Sequence, residues 1–184
     1  NRFSMIGVIS VFLGFIFTAG SRCLGIDSSE RYFLPTGVGY FTGIVVVIVG
    51  NSIDQILLIA GFGLMLLAWL GATWRWASLL MQSTINDKKH PAVLLAAMLG
   101  GVFALLSALA WSAGYAFAWV LARQLAFFGF LLPIFLTVCH RMLPFFSGTV
   151  LHPYVAWRPF GLLLFWLAGC AGLVITATLE WHLP

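Results

Sequence analysis

The side chains in this sequence best suited to hold a metal are four histidines and three cysteines, and their placement narrows the chemistry they can do. Imidazole is a common ligand of haem iron and also suits copper, with Met and Cys as softer partners. The run Cys139-His140-Arg141-Met142 offers all three ligand types. Adjacent residues on a helix point about 100° apart, so they cannot all reach one ion. His90 and His152 are the further candidates, and His182, beside Trp181, reads as an interfacial residue. Arg141, Arg22 and Arg158 could hold haem propionates or an anionic headgroup by bidentate hydrogen bonds; basic residues at helix ends also have a simpler explanation in membrane topology. Cys23, Cys139 and Cys170 show no CxxC or CxxCH spacing, so neither a zinc site, a thioredoxin motif nor covalent haem attachment is indicated. No nucleophile with a positioned base, dinucleotide fingerprint or phosphate loop stands out.

The elements that must position these residues are membrane helices. Hydrophobic residues make up 62% of the chain against 8% charged, with a mean hydropathy of +1.06. An ordinary globular domain devotes roughly a quarter of its residues to charge, so the bilayer has to be the solvent and the expected fold is all-α, a polytopic transmembrane bundle. The net charge of +4 does not indicate nucleic acid, because the nine basic residues are scattered at the ends of apolar runs. Roughly 20 apolar residues span the hydrocarbon. That length predicts about six helices, over residues 3–20, 37–50, 53–70, 90–111, 119–140 and 160–179. The second is short. Trp69, Trp74 and Trp76 mark the end of the third at headgroup level, and helix continues past it along the interface. Pro91 suits the first turn of the fourth, a turn is required near residues 112–115, and Pro144, Gly148, Pro153 and Pro159 should break helix repeatedly after the fifth.

Loops of such a bundle alternate sides, and Lys and Arg should concentrate on the cytoplasmic one. Arg22, Arg31, Arg75, Lys88, Lys89, Arg141 and Arg158 fall on one side, Arg2 and Arg123 on the other. This division puts the start of the chain outside the cytoplasm and gathers His90, His140 and His152 at the cytoplasmic face. Because the fourth and fifth helices are joined by a tight turn, His90 and His140 lie at the same end of one hairpin, where their imidazoles could face each other or a common ligand. Arg123 should snorkel outward with Gln124, or pair with Asp54 or Glu180. Gly61, Gly63, Gly100 and Gly101 are expected to let helices approach closely. Pro133 should free a backbone carbonyl one turn earlier and kink its helix or expose an acceptor. A transporter would use such a break at midplane, but no acidic residue lies in mid-span to couple a proton or sodium.

Two stretches carry a resemblance. The run His140-Arg141-Met142-Leu143-Pro144-Phe145-Phe146-Ser147 and the run Phe15-Ile16-Phe17-Thr18-Ala19-Gly20-Ser21-Arg22 resemble helix ends in the NnrS-like family of bacterial membrane proteins, and His90-Pro91 opening a helix fits the same pattern. The sequence departs from that pattern at Ser21, where Pro is expected, and at Cys23, where an aromatic is expected. The resemblance implies a multi-pass protein of the bacterial inner membrane tied to the response to nitric oxide and to denitrification, containing haem, here haem b, and copper. It also implies a longer protein of about twelve helices at roughly 20 residues per span, of which this chain is one transmembrane domain. On this reading His90 and His140 are axial-ligand candidates, His152 a further metal ligand, Arg141 and Arg22 cofactor contacts, and nitric oxide a ligand. A reading from another class is a small-molecule transporter or membrane assembly partner, with interfacial histidines and no metal.

Overall fold

The computed structural model describes residues 34–83, 88–150 and 159–180, with the backbone alone for Leu34, Arg141, residues 143–150 and Glu180. All described elements are helical: α1 (Leu34–Ile53), α2 (Gln55–Gln82), α3 (Lys89–Ser112), α4 (Ala116–Gln124), a π-helical segment (Leu125–Leu131), α5 (Leu132–Val150) and α6 (Phe160–Glu180). Five stretches are long and apolar enough to cross a membrane: Pro35–Ile53, Gln55–Gln82, Lys89–Ser112, Ala116–His140 and Phe160–Leu179. They correspond to the second to sixth spans expected from the sequence; the first, over residues 3–20, lies outside the described residues.

Each helix packs on its neighbour in sequence, and α3 is the central one, lying between α2 on one side and the α4–π–α5 span on the other. The α1–α2 pair is the tightest. A Cβ on Gly50 would meet the Leu58 backbone nitrogen, and one on Gly61 would lie 2.7 Å from the Val47 nitrogen, so only glycine permits this approach. The α2 face that turns inward is Phe62, Met65, Trp69, Ala72 and Trp76, spaced alternately three and four residues apart. That spacing is the seam of left-handed helix packing.

Four features differ from the sequence reading. α1 extends to 20 residues, because the polar Asn51 and Ser52 still lie within the helix, at its exposed end. Trp69 and Trp76 are not interface rings: each is 1% exposed, and their indole N–H groups donate to Met98 O at 2.9 Å and Pro91 O at 3.2 Å on α3. Only Trp74, at 75% exposure, has the outward position expected of all three. Helix also runs through Pro144 to Val150. Membrane helices tolerate such a proline where neighbouring groups can satisfy the freed carbonyl. Finally, Asp54 does not pair with Arg123, since its carboxylate caps α2 by accepting from the Ile56 N–H at 3.3 Å.

The turn at residues 112–115 forms as expected. Gly114 adopts φ 110°, a conformation that side chains disfavour, and the Ala113, Gly114 and Tyr115 N–H groups return to carbonyls of the last turn of α3. Gln55 Nε2 donates to Ser112 O at 2.8 Å, which ties the start of α2 to this turn. The bundle therefore has a turn end, with Asp54 and Gly114, and a histidine end, with His90 and His140.

Candidate metal centre at the histidine end

Three elements meet at the histidine end. Lys88, at φ −90° and ψ 0°, starts α3, and its carbonyl accepts from the Ala92 N–H at 3.0 Å, which places Lys89, His90 and Pro91 in the first turn. Pro91 has no N–H to leave unpaired there, and its carbonyl receives the Trp76 indole. His140 approaches on α5, nine residues after the π segment, and Pro159 with Phe160 starts α6.

The two histidines are in contact. His90 Nε2 lies 3.1 Å from His140 Nδ1, with ring centroids 5.3 Å apart and planes inclined by 32°. His140 Nε2 lies 3.2 Å from the Pro159 carbonyl oxygen. A carbonyl can only accept, so His140 carries its proton on Nε2 and turns the lone pair of Nδ1 toward His90, which donates from Nε2. The Pro159 oxygen also accepts from the Leu162 N–H at 3.1 Å and is thereby held by the first turn of α6. Phe160 packs edge-on against His90 at 6.0 Å, and Lys89 Nζ lies 5.4 Å from the same ring's centroid. Both imidazoles are partly buried.

This donor pair can be tested against the groups that the family resemblance implies. Metal–imidazole bonds are about 2.0–2.1 Å, so two nitrogens 3.1 Å apart both reach a single ion without moving apart. His140 has the arrangement expected of a ligand, one ring nitrogen donating to a carbonyl and the other presenting a lone pair. A proton shift from Nε2 to Nδ1 of His90 would present a second lone pair to the same point. The pair fits a small ion such as copper. Two axial nitrogens on opposite faces of one haem iron would lie about 4 Å apart, so the pair as spaced fits one axial imidazole backed by the other rather than a bis-histidine haem.

Of the other expected site residues, Arg22 and His152 lie outside the described residues, as does the side chain of Arg141. Cys139 is a partly buried free thiol, and among the described residues no group of three or more His, Cys, Asp or Glu side chains converges. Pro159 and Phe160 were missed by sequence reasoning. Their signal was a Pro-Phe pair at the start of an apolar run, which was read only as a helix breaker.

The NnrS protein family model matches residues 4–183. The chain belongs to the NnrS family. The match covers nearly the whole chain and includes every residue of the histidine end. No curated protein and no solved structure showed significant similarity to this NnrS family chain.

Proposed function

We propose that this chain is part of an NnrS-type multi-pass protein of the bacterial inner membrane that binds copper and haem b and takes part in the response to nitric oxide, with the start of the chain on the periplasmic side. The observation that carries the reading is the convergence of His90 Nε2 and His140 Nδ1 at 3.1 Å, backed by the Pro159 carbonyl. An imidazole pair in direct contact, with one ring oriented by a carbonyl, stands where α3, α5 and α6 meet. It is the donor set a soft or borderline ion requires.

The chain's own residues supply ligation and orientation. His140, fixed by Pro159, is the first donor, His90 the second, and Phe160 restricts the rotation of His90 by edge contact. Lys89 over Phe160 places a positive charge near the site, which favours an anionic group such as a propionate at its rim. A copper or haem iron held there would supply a coordination position for nitric oxide and one-electron chemistry.

The test is metal analysis together with optical and paramagnetic resonance spectra of the protein, purified in detergent from cells supplied with haem and copper. Wild type should carry metal, and His140→Ala should lose most of it. His90→Ala should retain a weaker site with altered spectra, because His140 keeps its orienting carbonyl. A colourless, metal-free wild type would overturn the reading and favour the transporter or assembly-partner alternative.

A further inference from the structure

At the turn end the helices leave an apolar groove. Its base is α2 and α3, with Leu58, Leu105 and Ala108, and its walls are α1, with Asn51, and the α4–π span, with Arg123 and Ala126. Toward the middle of the bundle it is closed. Tyr40, Trp69 and Phe130 are 3%, 1% and 1% exposed there, and the Trp69 ring meets the other two at centroid distances of 5.9 and 4.9 Å. The open part therefore lies between these rings and the turn, where Asn51 and Arg123 are exposed and Leu58, Leu105 and Ala126 partly so. Small residues make the space: Ala104 and Ala108 on α3, and Ala122 and Ala126 on the α4–π span.

The rim carries two polar side chains that the bundle does not satisfy. Among the described residues Arg123 makes no ion pair or hydrogen bond, and neither does the Asn51 carboxamide. Arg123 follows Ala116, the first residue of its span, by seven positions, about 10 Å at the helical rise. A guanidinium at that depth in a membrane requires an anion or water. No carboxylate lines the groove, and the Asp54 carboxylate caps α2. The chain's own residues 1–20 offer no counter-ion either, since they contain no Asp or Glu and carry Arg2. A lipid phosphate supplies the missing charge at this level of the bilayer. Trp111 and Trp119, stacked at 4.8 Å, line the same rim, and indole rings favour the headgroup region.

We infer that this groove is a binding site for an anionic phospholipid of the leaflet at the turn end, with its phosphate on Arg123 and Asn51 and part of one acyl chain lying against Ala126 and Leu105. A guanidinium gives two parallel N–H donors to two phosphate oxygens, and the carboxamide NH2 gives a third. With no carboxylate lining the groove, a headgroup ammonium finds no partner there, which selects an anionic headgroup over a zwitterionic one. The open space is about 100 Å³. At roughly 30 Å³ for a water-sized group such as a methylene, it takes about three chain carbons and leaves the rest of the chain in the bilayer.

The experiment is native mass spectrometry of the whole detergent-purified protein, titrated with phosphatidylglycerol and with phosphatidylcholine of the same acyl chains. One phosphatidylglycerol should bind about tenfold tighter than phosphatidylcholine, the size of one hydrogen bond to a charged group. Arg123→Gln should erase the preference, and Lys88→Gln, at the opposite end, should leave it in place. Ala126→Phe should weaken both lipids in parallel; Asn51→Ala, at an exposed position that tolerates substitution, should lower the preference in part. Glycerol phosphate, which has the phosphate without the chains, should not displace the lipid. Equal affinity for the two lipids in wild type, a preference that survives Arg123→Gln, or indifference to both Ala126→Phe and Asn51→Ala would overturn the inference. Displacement by glycerol phosphate would overturn it too, by marking a simple anion site. So would a disulfide between Ala126→Cys and Ile6→Cys or Ile9→Cys, in a chain whose Cys23, Cys139 and Cys170 are replaced by Ser, because it would put the chain's own residues 3–20 in the groove. None of these readouts depends on the metal content of the histidine end.

Discussion

Single residues decide how closely this bundle can pack, and Gly100 is the sharpest case. A Cβ there would fall on the Gly129 carbonyl, 2.8 Å from its carbon, and backbone cannot move aside as a flexible side chain can. Gly63 faces open space. Gly100→Ala should therefore cost about 1–3 kcal/mol by overpacking, and Gly63→Ala should stay within about 0.5 kcal/mol, both read from thermal denaturation in detergent. Equal effects would mean that α3 and the π segment are not in backbone contact. The sequence showed both as small residues in apolar helices, and nothing in residue type separates them. The histidines were more legible. Their placement at one end of a hairpin followed from two helix lengths and one turn, whereas Pro159 could not be foreseen as the group that orients His140, because its contribution is a backbone carbonyl brought from 19 residues away.

At the scale of elements, hydropathy located the spans and left their inward faces unread. In α2, buried Phe62, Met65 and Trp69 alternate with exposed Leu67, Leu70 and Trp74, and both sets are apolar, since a lipid-facing side needs no polar residue. What distinguishes the faces is side-chain size and the reach of an indole N–H to a carbonyl. Pro133 was more informative. It lacks the N–H that the Gly129 carbonyl would use in an α-helix, and the Leu132 N–H instead reaches back to Phe127 O across the wider π turn. The widened segment relieves the proline and aims the Gly129 carbonyl at Gly100. Each π turn encloses one residue more than an α turn, so this segment also sets the angular register between Arg123 at the turn end and His140 beyond it. Pro133→Ala should let α-helix propagate, rotate the two ends relative to each other and separate His90 from His140. If the pair holds metal as proposed, metal content at the histidine end should fall several-fold without loss of helix content by circular dichroism; retained metal would show that the register does not depend on Pro133.

Across the whole molecule, the two ends of the bundle differ in charge and in chemistry, and the membrane must distinguish them. Lys88 and Lys89 stand beside the histidine pair, while the turn end carries Arg123 as its cation and Asp54 and Glu180 as its acids among the described residues. Neither lysine suits its place electrostatically within the helix, because the start of α3 is the positive end of its dipole. Their position is better explained by the bilayer, which retains basic loops on the cytoplasmic side. On the proposed orientation the histidine end faces the cytoplasm and the turn end faces the periplasm. Lys88 and Tyr115 are both exposed and lie at opposite ends of α3, which makes them suitable reporters. With Cys23, Cys139 and Cys170 replaced by Ser, Tyr115→Cys should react with a membrane-impermeant maleimide added to intact spheroplasts, and Lys88→Cys should react only after the membrane is opened. The reverse pattern would invert the bundle and place the histidine pair at the periplasmic face, while labelling of both from outside would show that α3 does not cross the membrane.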